Sequence, residues 1–145
     1  MTLLVILRHG PTEWSAAQRL QGRSDIPLSP AGRAVVASWR LPPALPGYAW
    51  LTSPLRRAVE TAEILGLAAR REARLRPLLA EIAPGAAPTG AISHKGVIRA
   101  LFALASGWDM LGKPPVRLDW RSAHLFRLDR HGNPAVERLN VGLVP

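Results

Sequence analysis

The sequence contains no cysteine, which excludes disulfides, thiolate nucleophiles and thiolate metal sites together. Lysine is nearly absent, standing only at Lys95 and Lys113. The positive charge is therefore carried by arginines, spread from Arg8 to Arg138 with no basic tail and no stripe of cations interleaved with aromatics. That distribution lacks the footprint of a nucleic-acid-binding face. The first apolar run, Leu3 to Leu7, is too short for a signal segment or a membrane span and leads straight into Arg8 and His9. No cluster of metal ligands, internal repeat or low-complexity tract is visible. The expectation is a soluble, cytoplasmic protein with no metal, no cofactor, and neither nucleic acid nor membrane as partner.

What is present is a chain of 145 residues, the size of one compact domain, so residues 1–145 are expected to form a single unit with one site. The formal charge of +9, from 19 Lys+Arg against 10 Asp+Glu, is compatible with an anionic substrate. A composition rich in Arg, Ala, Leu and Pro carries most of that charge as a general bias, so only a few arginines need a ligand.

Leu3-Leu4-Val5-Ile6-Leu7 predicts a central strand buried on both faces, stopped by Arg8-His9-Gly10-Pro11. Ser29-Pro30 is a cap followed by proline at the first helical position, predicting a helix to about Arg40. Tyr48 to Thr52 predicts a second strand, and Ser53-Pro54 repeats the cap signature before a helix running to Gly66. Gly90 to Ser93 is a weaker third strand, followed by an apolar helix from Val97 to about Ser106 closed by Gly107. Ala83 to Thr89 reads as irregular. Ala123 to Leu128 and Ala135 to Leu139 flank an Asp129-Arg130-His131-Gly132-Asn133 turn and predict a terminal hairpin. Alternating strands and helices imply an α/β sandwich with a mostly parallel sheet, whose ligands bind beyond the carboxyl ends of the strands.

Those ends carry the chemistry. The first delivers Arg8 and His9, the second Ser53, Arg56 and Arg57, and the third His94 and Lys95. Arginine forks bind phosphate oxygens through paired hydrogen bonds. A neutral imidazole can attack phosphorus when its other ring nitrogen is held, and neighbouring arginines favour the neutral form. His9 fits that nucleophile, with His94 as an added donor to the phosphoryl oxygens. A leaving alkoxide needs a proton. Glu81, after an apolar stretch, and Glu13, four residues from His9, are the two carboxylic acids that spacing leaves open.

These segments resemble the histidine phosphatase superfamily, also called phosphoglycerate mutase-like, over most of the chain. Four blocks carry the resemblance in order: Arg8-His9-Gly10-Pro11-Thr12-Glu13-Trp14; Leu20-Gln21-Gly22-Arg23 to Ser29, with Gly32; Thr52-Ser53-Pro54-Leu55-Arg56-Arg57-Ala58 to Thr61-Ala62; and Ser93-His94-Lys95-Gly96-Val97-Ile98-Arg99. Leu79-Ala80-Glu81 is similar to the family's proton-donor segment. The resemblance implies a three-layer sandwich with a mostly parallel central sheet flanked by helices. It also implies a phosphohistidine on His9, a pocket of Arg8, Arg57 and His94, and Glu81 as acid and then base. Gly10, Thr12, Ser15, Gln21, Gly22 and Lys95 fall at its substrate-binding positions, and the clamp arginine is Arg57 rather than Arg56, which reads as a solvated helix residue.

The chain departs from the family pattern in three places. Only Ile82 to Ser93 separates Glu81 from His94, where family members usually carry a helical excursion of several tens of residues that walls the pocket. Ser15 stands for an asparagine common in the mutase branch, and Lys95 for a frequent glycine. Gly85-Ala86-Ala87-Pro88 replaces the usual Gly-x-Trp-Glu-Gly.

The implied activity is hydrolysis of phosphomonoesters, with a phosphorylated small molecule or phosphoprotein as substrate and room for a homodimer. The alternatives are a protein phosphohistidine phosphatase, phosphoglycerate mutase-type transfer, and a non-catalytic phosphate sensor. His124 and His131 are expected at the surface or in turns, the tryptophans as core or rim packing with Trp14 close to the pocket, and Gly10 and Gly22 as turn glycines with positive φ.

Overall fold

A computed structural model describes residues 2–72 and 87–143. Its strands are β1 (Thr2–Arg8), β2 (Ala49–Thr52), β3 (Arg70–Arg71), β4 (Thr89–Ser93), β5 (Ser122–Leu128) and β6 (Pro134–Gly142). Its helices are α1 (Glu13–Ala16), α2 (Pro30–Ser38), α3 (Arg56–Ile64) and α4 (Lys95–Ser106), with a 3-10 turn at Leu45–Gly47. The strands form one sheet in the order β3-β2-β4-β1-β5-β6. The first four are mutually parallel, and β5 and β6 run antiparallel at one edge. This is the mostly parallel α/β sandwich expected, and the terminal hairpin is its β5-β6 edge.

β1 shows why the sheet needs helices on both sides. Leu4 and Ile6 pack with Ile98, Leu101 and Phe102 of α4, while Val5 and Leu7 pack with Val36 of α2 and Ala58 and Ala62 of α3. All four β1 side chains are fully buried. A strand repeats every two residues, so an unbroken apolar run can be satisfied only when both faces are covered.

Local signals set the helix ends. Ser29 Oγ accepts from the Gly32 amide at 2.9 Å and starts α2 with Pro30 at its first position, although α2 ends at Ser38 rather than Arg40. Gly107, at φ 76°, closes α4 in the left-handed conformation that glycine adopts without penalty. The Ser53-Pro54 expectation needs correction: α3 begins at Arg56 with Leu55 as its cap residue, and no side chain caps it. The Ser53 hydroxyl instead meets His94 Nε2 at 2.7 Å. The short α1 and β3 have too few residues to show a period, and neither was anticipated.

His124 also lies elsewhere than expected. It is fully buried on β5 opposite Ile6. Its Nε2–H donates to the Asp119 carbonyl at 3.1 Å, and Nδ1 accepts from the Asn140 amide at 3.4 Å. These partners, supplied from outside the strand's own sequence window, are what make a buried imidazole tolerable. Among the described residues no helix is long and apolar enough to cross a membrane, and no group of three or more His, Cys, Asp or Glu side chains could hold a metal ion.

Candidate active site

Strand register builds the site. In the parallel pairs Arg8 lies opposite Ser93, and Thr52 opposite Ile92. The carboxyl ends of β1, β4 and β2 therefore finish side by side, and the next residues along each chain are His9, His94 and Ser53. The His9 amide donates to the Ser93 carbonyl at 3.0 Å, and the Ser53 amide to the Ile92 carbonyl at 3.0 Å. These bonds carry the ladder one step past the strands. The ring centroids of His9 and His94 are 5.3 Å apart.

His9 is 4% exposed. Its Nδ1–H donates to the Gly10 carbonyl at 2.7 Å, which fixes the tautomer and leaves the Nε2 lone pair free. Burial pushes its pKa down to about 3. The charges of Arg8, His94 and Arg57 act in the same direction, against the Gly10 hydrogen bond. His94 is pushed down to about 4 by burial, then by Arg57 and Arg8. Both imidazoles are neutral near pH 7. When the Ser53 hydroxyl donates to His94 Nε2, His94 Nδ1 carries the proton. That buried atom has no hydrogen-bond partner among the described residues.

Arg8 and Arg57 flank the histidines, and burial lowers the pKa of each. Arg57 donates to the carbonyls of Ser24 at 2.7 Å and Gly22 at 3.0 Å. Its guanidinium thus holds the loop after α1 as well as facing the site, a role the sequence did not reveal. The Nε atoms of Arg8, Arg57 and Arg99 are buried without partners among the described residues. Three of these buried donors, on Arg8, Arg57 and His94, stand at the two imidazoles without acceptors among the described residues, which suits an oxyanion that can accept several hydrogen bonds.

The cavity at this rim has a volume of about 1090 Å³. Arg8, His9, Ser15, Gln21, Gly22, Arg57, His94 and Lys95 all line it. Gln18, Arg19, Arg99, Met110 and Trp120 line it as well. Of these, Arg99 stands one helical turn beyond Lys95, the signal that could have found it.

Two expected ligand-binding residues stand behind the wall. Thr12 is fully buried, where it caps α1 by accepting from the Ser15 amide at 3.0 Å and donates to Gln21 Oε1 at 2.6 Å. The Gly10 amide donates to Thr61 Oγ1 at 2.9 Å. Gly10 also lacks the expected positive φ, whereas Gly22 has φ 50°. Glycine is required at position 10 because a Cβ there would sit 2.3 Å from Val36 Cγ2. Arg56 is exposed and paired with Glu60 at 3.5 Å, as expected of a solvated residue. Glu13 is exposed and does not line the cavity. Glu81 lies outside the described residues.

Comparison with known proteins gives the family and the fold. A family model described as the histidine phosphatase superfamily (branch 1) matches residues 4–90. Among curated relatives, the uncharacterized phosphatase PhoE of Bacillus subtilis is 38% identical over 68 residues, 45% of this chain and 34% of that protein. The glucosyl-3-phosphoglycerate phosphatase of Mycolicibacterium vanbaalenii is 48% identical over 65 residues, 43% of this chain and 28% of that protein. The probable phosphoglycerate mutase GpmB of Proteus mirabilis is 37% identical over 87 residues, 59% of this chain and 40% of that protein. The match thus spans between 28% and 40% of these relatives' own length. A solved structure of a mycobacterial glucosyl-3-phosphoglycerate phosphatase with VO3 superposes with a TM-score of 0.71, at 23% identity and with full coverage of both chains. At that identity the likeness concerns the fold.

Proposed function

The chain belongs to the histidine phosphatase superfamily, and from that premise we propose that it hydrolyses phosphomonoesters through a phosphohistidine on His9. One observation carries the reading. A buried, neutral imidazole with its Nδ1–H held by the Gly10 carbonyl stands beside a second imidazole and two arginines whose buried donors lack partners among the described residues.

In the first step His9 Nε2 attacks phosphorus in line, the N–P bond forms and the ester P–O bond breaks. Arg8, Arg57 and the His94 Nδ1–H donate to the three equatorial oxygens, whose charge grows most in the transition state. The leaving oxygen takes a proton from a carboxylic acid, the role the resemblance gives to Glu81. In the second step the same carboxylate takes a proton from water, which attacks phosphorus. The N–P bond then breaks, inorganic phosphate leaves and neutral His9 is restored.

A sensor that binds phosphate without turnover is the second reading, favoured by the absence of a carboxylate lining the cavity among the described residues. Hydrolysis of p-nitrophenyl phosphate separates the two. His94→Ala is expected to lower kcat by about 10²–10³-fold, and Glu81→Gln to slow alkyl phosphates far more than the p-nitrophenyl ester. No phosphate release by the wild type, with inorganic phosphate still bound, would establish the sensor.

A further inference from the structure

The two arginines of the site are held in different ways. Arg57 is fixed by the carbonyls of Ser24 and Gly22, at 2.7 Å and 3.0 Å. The Arg8 guanidinium takes no part in the hydrogen bonds or ion pairs of the described residues, and its buried Nε has no partner among them. The charge of Arg57 acts on it and repels. A guanidinium on a long stem, repelled by its neighbour, has no polar contact to set its plane. It does have a ring: Arg8 Cζ lies 5.7 Å from the centroid of Trp120, which lines the same cavity.

Trp120 is itself held from both sides. Asp119, just before it, accepts from the Arg121 amide at 3.0 Å through Oδ1 and from the Ser122 hydroxyl at 2.8 Å through Oδ2. The Asp119 carbonyl accepts from His124 Nε2–H at 3.1 Å, and its amide donates to Asn140 Oδ1 at 2.8 Å. Asn140, at φ 56°, also donates from Nδ2 to the Arg117 carbonyl at 2.9 Å and from its amide to His124 Nδ1 at 3.4 Å. The Trp120 ring meets the buried His124 ring edge-on, with centroids 6.4 Å apart, and packs against the core cluster that contains Ile98 and Phe126. A satisfied polar network of this kind rigidifies what it touches, and what it touches here is a ring that borders the cavity.

We propose that Trp120 is a positioning residue for Arg8: its ring, fixed by the Asp119-His124-Asn140 network, sets the plane of the guanidinium before a phosphoryl group arrives. A guanidinium held at a ring face keeps its in-plane N–H groups free to donate. The brace therefore orients Arg8 without competing for the oxygens it receives, whereas a carboxylate partner would occupy those same donors. Lys95 Nζ lies 5.4 Å from the same ring, so the two cations have to be told apart. The inference rests on the reading of Arg8 as a phosphoryl ligand, but the order of its guanidinium is measured without any ligand, so the two can fail separately.

In the ligand-free, isotope-labelled full chain, heteronuclear NOEs of the arginine Nε–H groups report order on the picosecond-to-nanosecond scale. Arg8 and Arg57 should both be ordered in the wild type. Trp120→Leu should release Arg8 alone, because the carbonyls that hold Arg57 are untouched. Binding of inorganic phosphate, followed by calorimetry, should weaken about three- to tenfold in the same variant. Tetrafluorotryptophan placed at position 120 keeps the shape of the ring but removes the negative potential of its face, and should reproduce the weaker binding at an unchanged melting temperature. With Lys95→Gln as background, the fluorinated ring should still weaken binding by the same factor. An Arg8 signal as ordered in Trp120→Leu as in the wild type would overturn the inference, and so would an equal loss of order at Arg57. Phosphate affinity unchanged by the fluorinated ring, or an effect that vanishes with Lys95, would overturn it as well. A wild type that binds no phosphate defeats the phosphoryl reading, and the Arg8 signal then decides the brace by itself.

Discussion

Burial keeps His9 and His94 uncharged near neutral pH, and that has a consequence for stability. An ordinary histidine titrates near 6.5, whereas these are pushed to about 3 and about 4. Between those values the unfolded chain binds protons that the folded chain does not, so stability rises with pH across the window. Their contribution is fully present above about 6.5 and is lost as pH falls toward 3 to 4. Each histidine adds a slope approaching ~1.4 kcal/mol per pH unit inside its window. Melting temperatures measured from pH 7 down to pH 4 should fall, and His9→Ala should flatten the decline. An unchanged slope in that variant would mean that His9 is not held neutral.

Ser53 gives the second test at this scale. Its hydroxyl at 2.7 Å from His94 Nε2 sets which nitrogen of that ring bears the proton. Ser53→Ala should lower kcat about fivefold, the equivalent of one neutral hydrogen bond of about 1 kcal/mol, while the melting temperature stays within a few degrees. A variant with wild-type kcat would separate Ser53 from the site.

Among the elements, β1 and the turn after it have the least freedom. The Gly10 amide is tied to Thr61 Oγ1, whose own hydroxyl donates to the Arg57 carbonyl at 2.7 Å. The first turn of α3 is thereby joined to the end of β1. Gly10→Ala forces a methyl against Val36 Cγ2 and should destabilise the protein by about 1–3 kcal/mol in denaturant unfolding. Adding Val36→Ala should recover part of the loss. No destabilisation in the single variant would show that α2 moves away freely.

The same region shows what could be read from sequence. The apolar run of β1, the Ser29-Pro30 cap and the Gly107 stop are local signals, and each left its mark within a few residues. The Ser53-Pro54 cap misled because the serine's partner, His94, is 41 residues away, and a tertiary hydrogen bond outweighed a local one. Buried His124 was misplaced for a similar reason, since its partners Asp119 and Asn140 stand outside its own strand. Arg57 lines the cavity, but its grip on the Gly22 and Ser24 carbonyls depends on a loop conformation that no pattern of residue types specifies.

For the whole molecule, the informative fact is where the family match stops. It ends at residue 90, the second residue of β4, so His94 lies beyond it. The parallel register of β4 with β1 supplies what the match does not, setting Ser93 opposite Arg8 and the two imidazoles side by side. The half of the cavity that holds both imidazoles is thus assembled by sheet topology from segments 85 residues apart in the chain, as the difference between 94 and 9 gives. It does so in a chain whose matches span 40% or less of the curated relatives' length.

The central claim is covalent chemistry at His9, and trapping the phosphoenzyme tests it most directly. The protein is mixed with a radiolabelled activated phosphomonoester and quenched in base within the first turnovers. The phosphoprotein is then challenged with acid. Label that survives base, is lost in acid, and is missing from His9→Ala is the predicted result. A wild type that binds inorganic phosphate yet takes up no label, or a His9→Ala variant that labels as fully as the wild type, would contradict it.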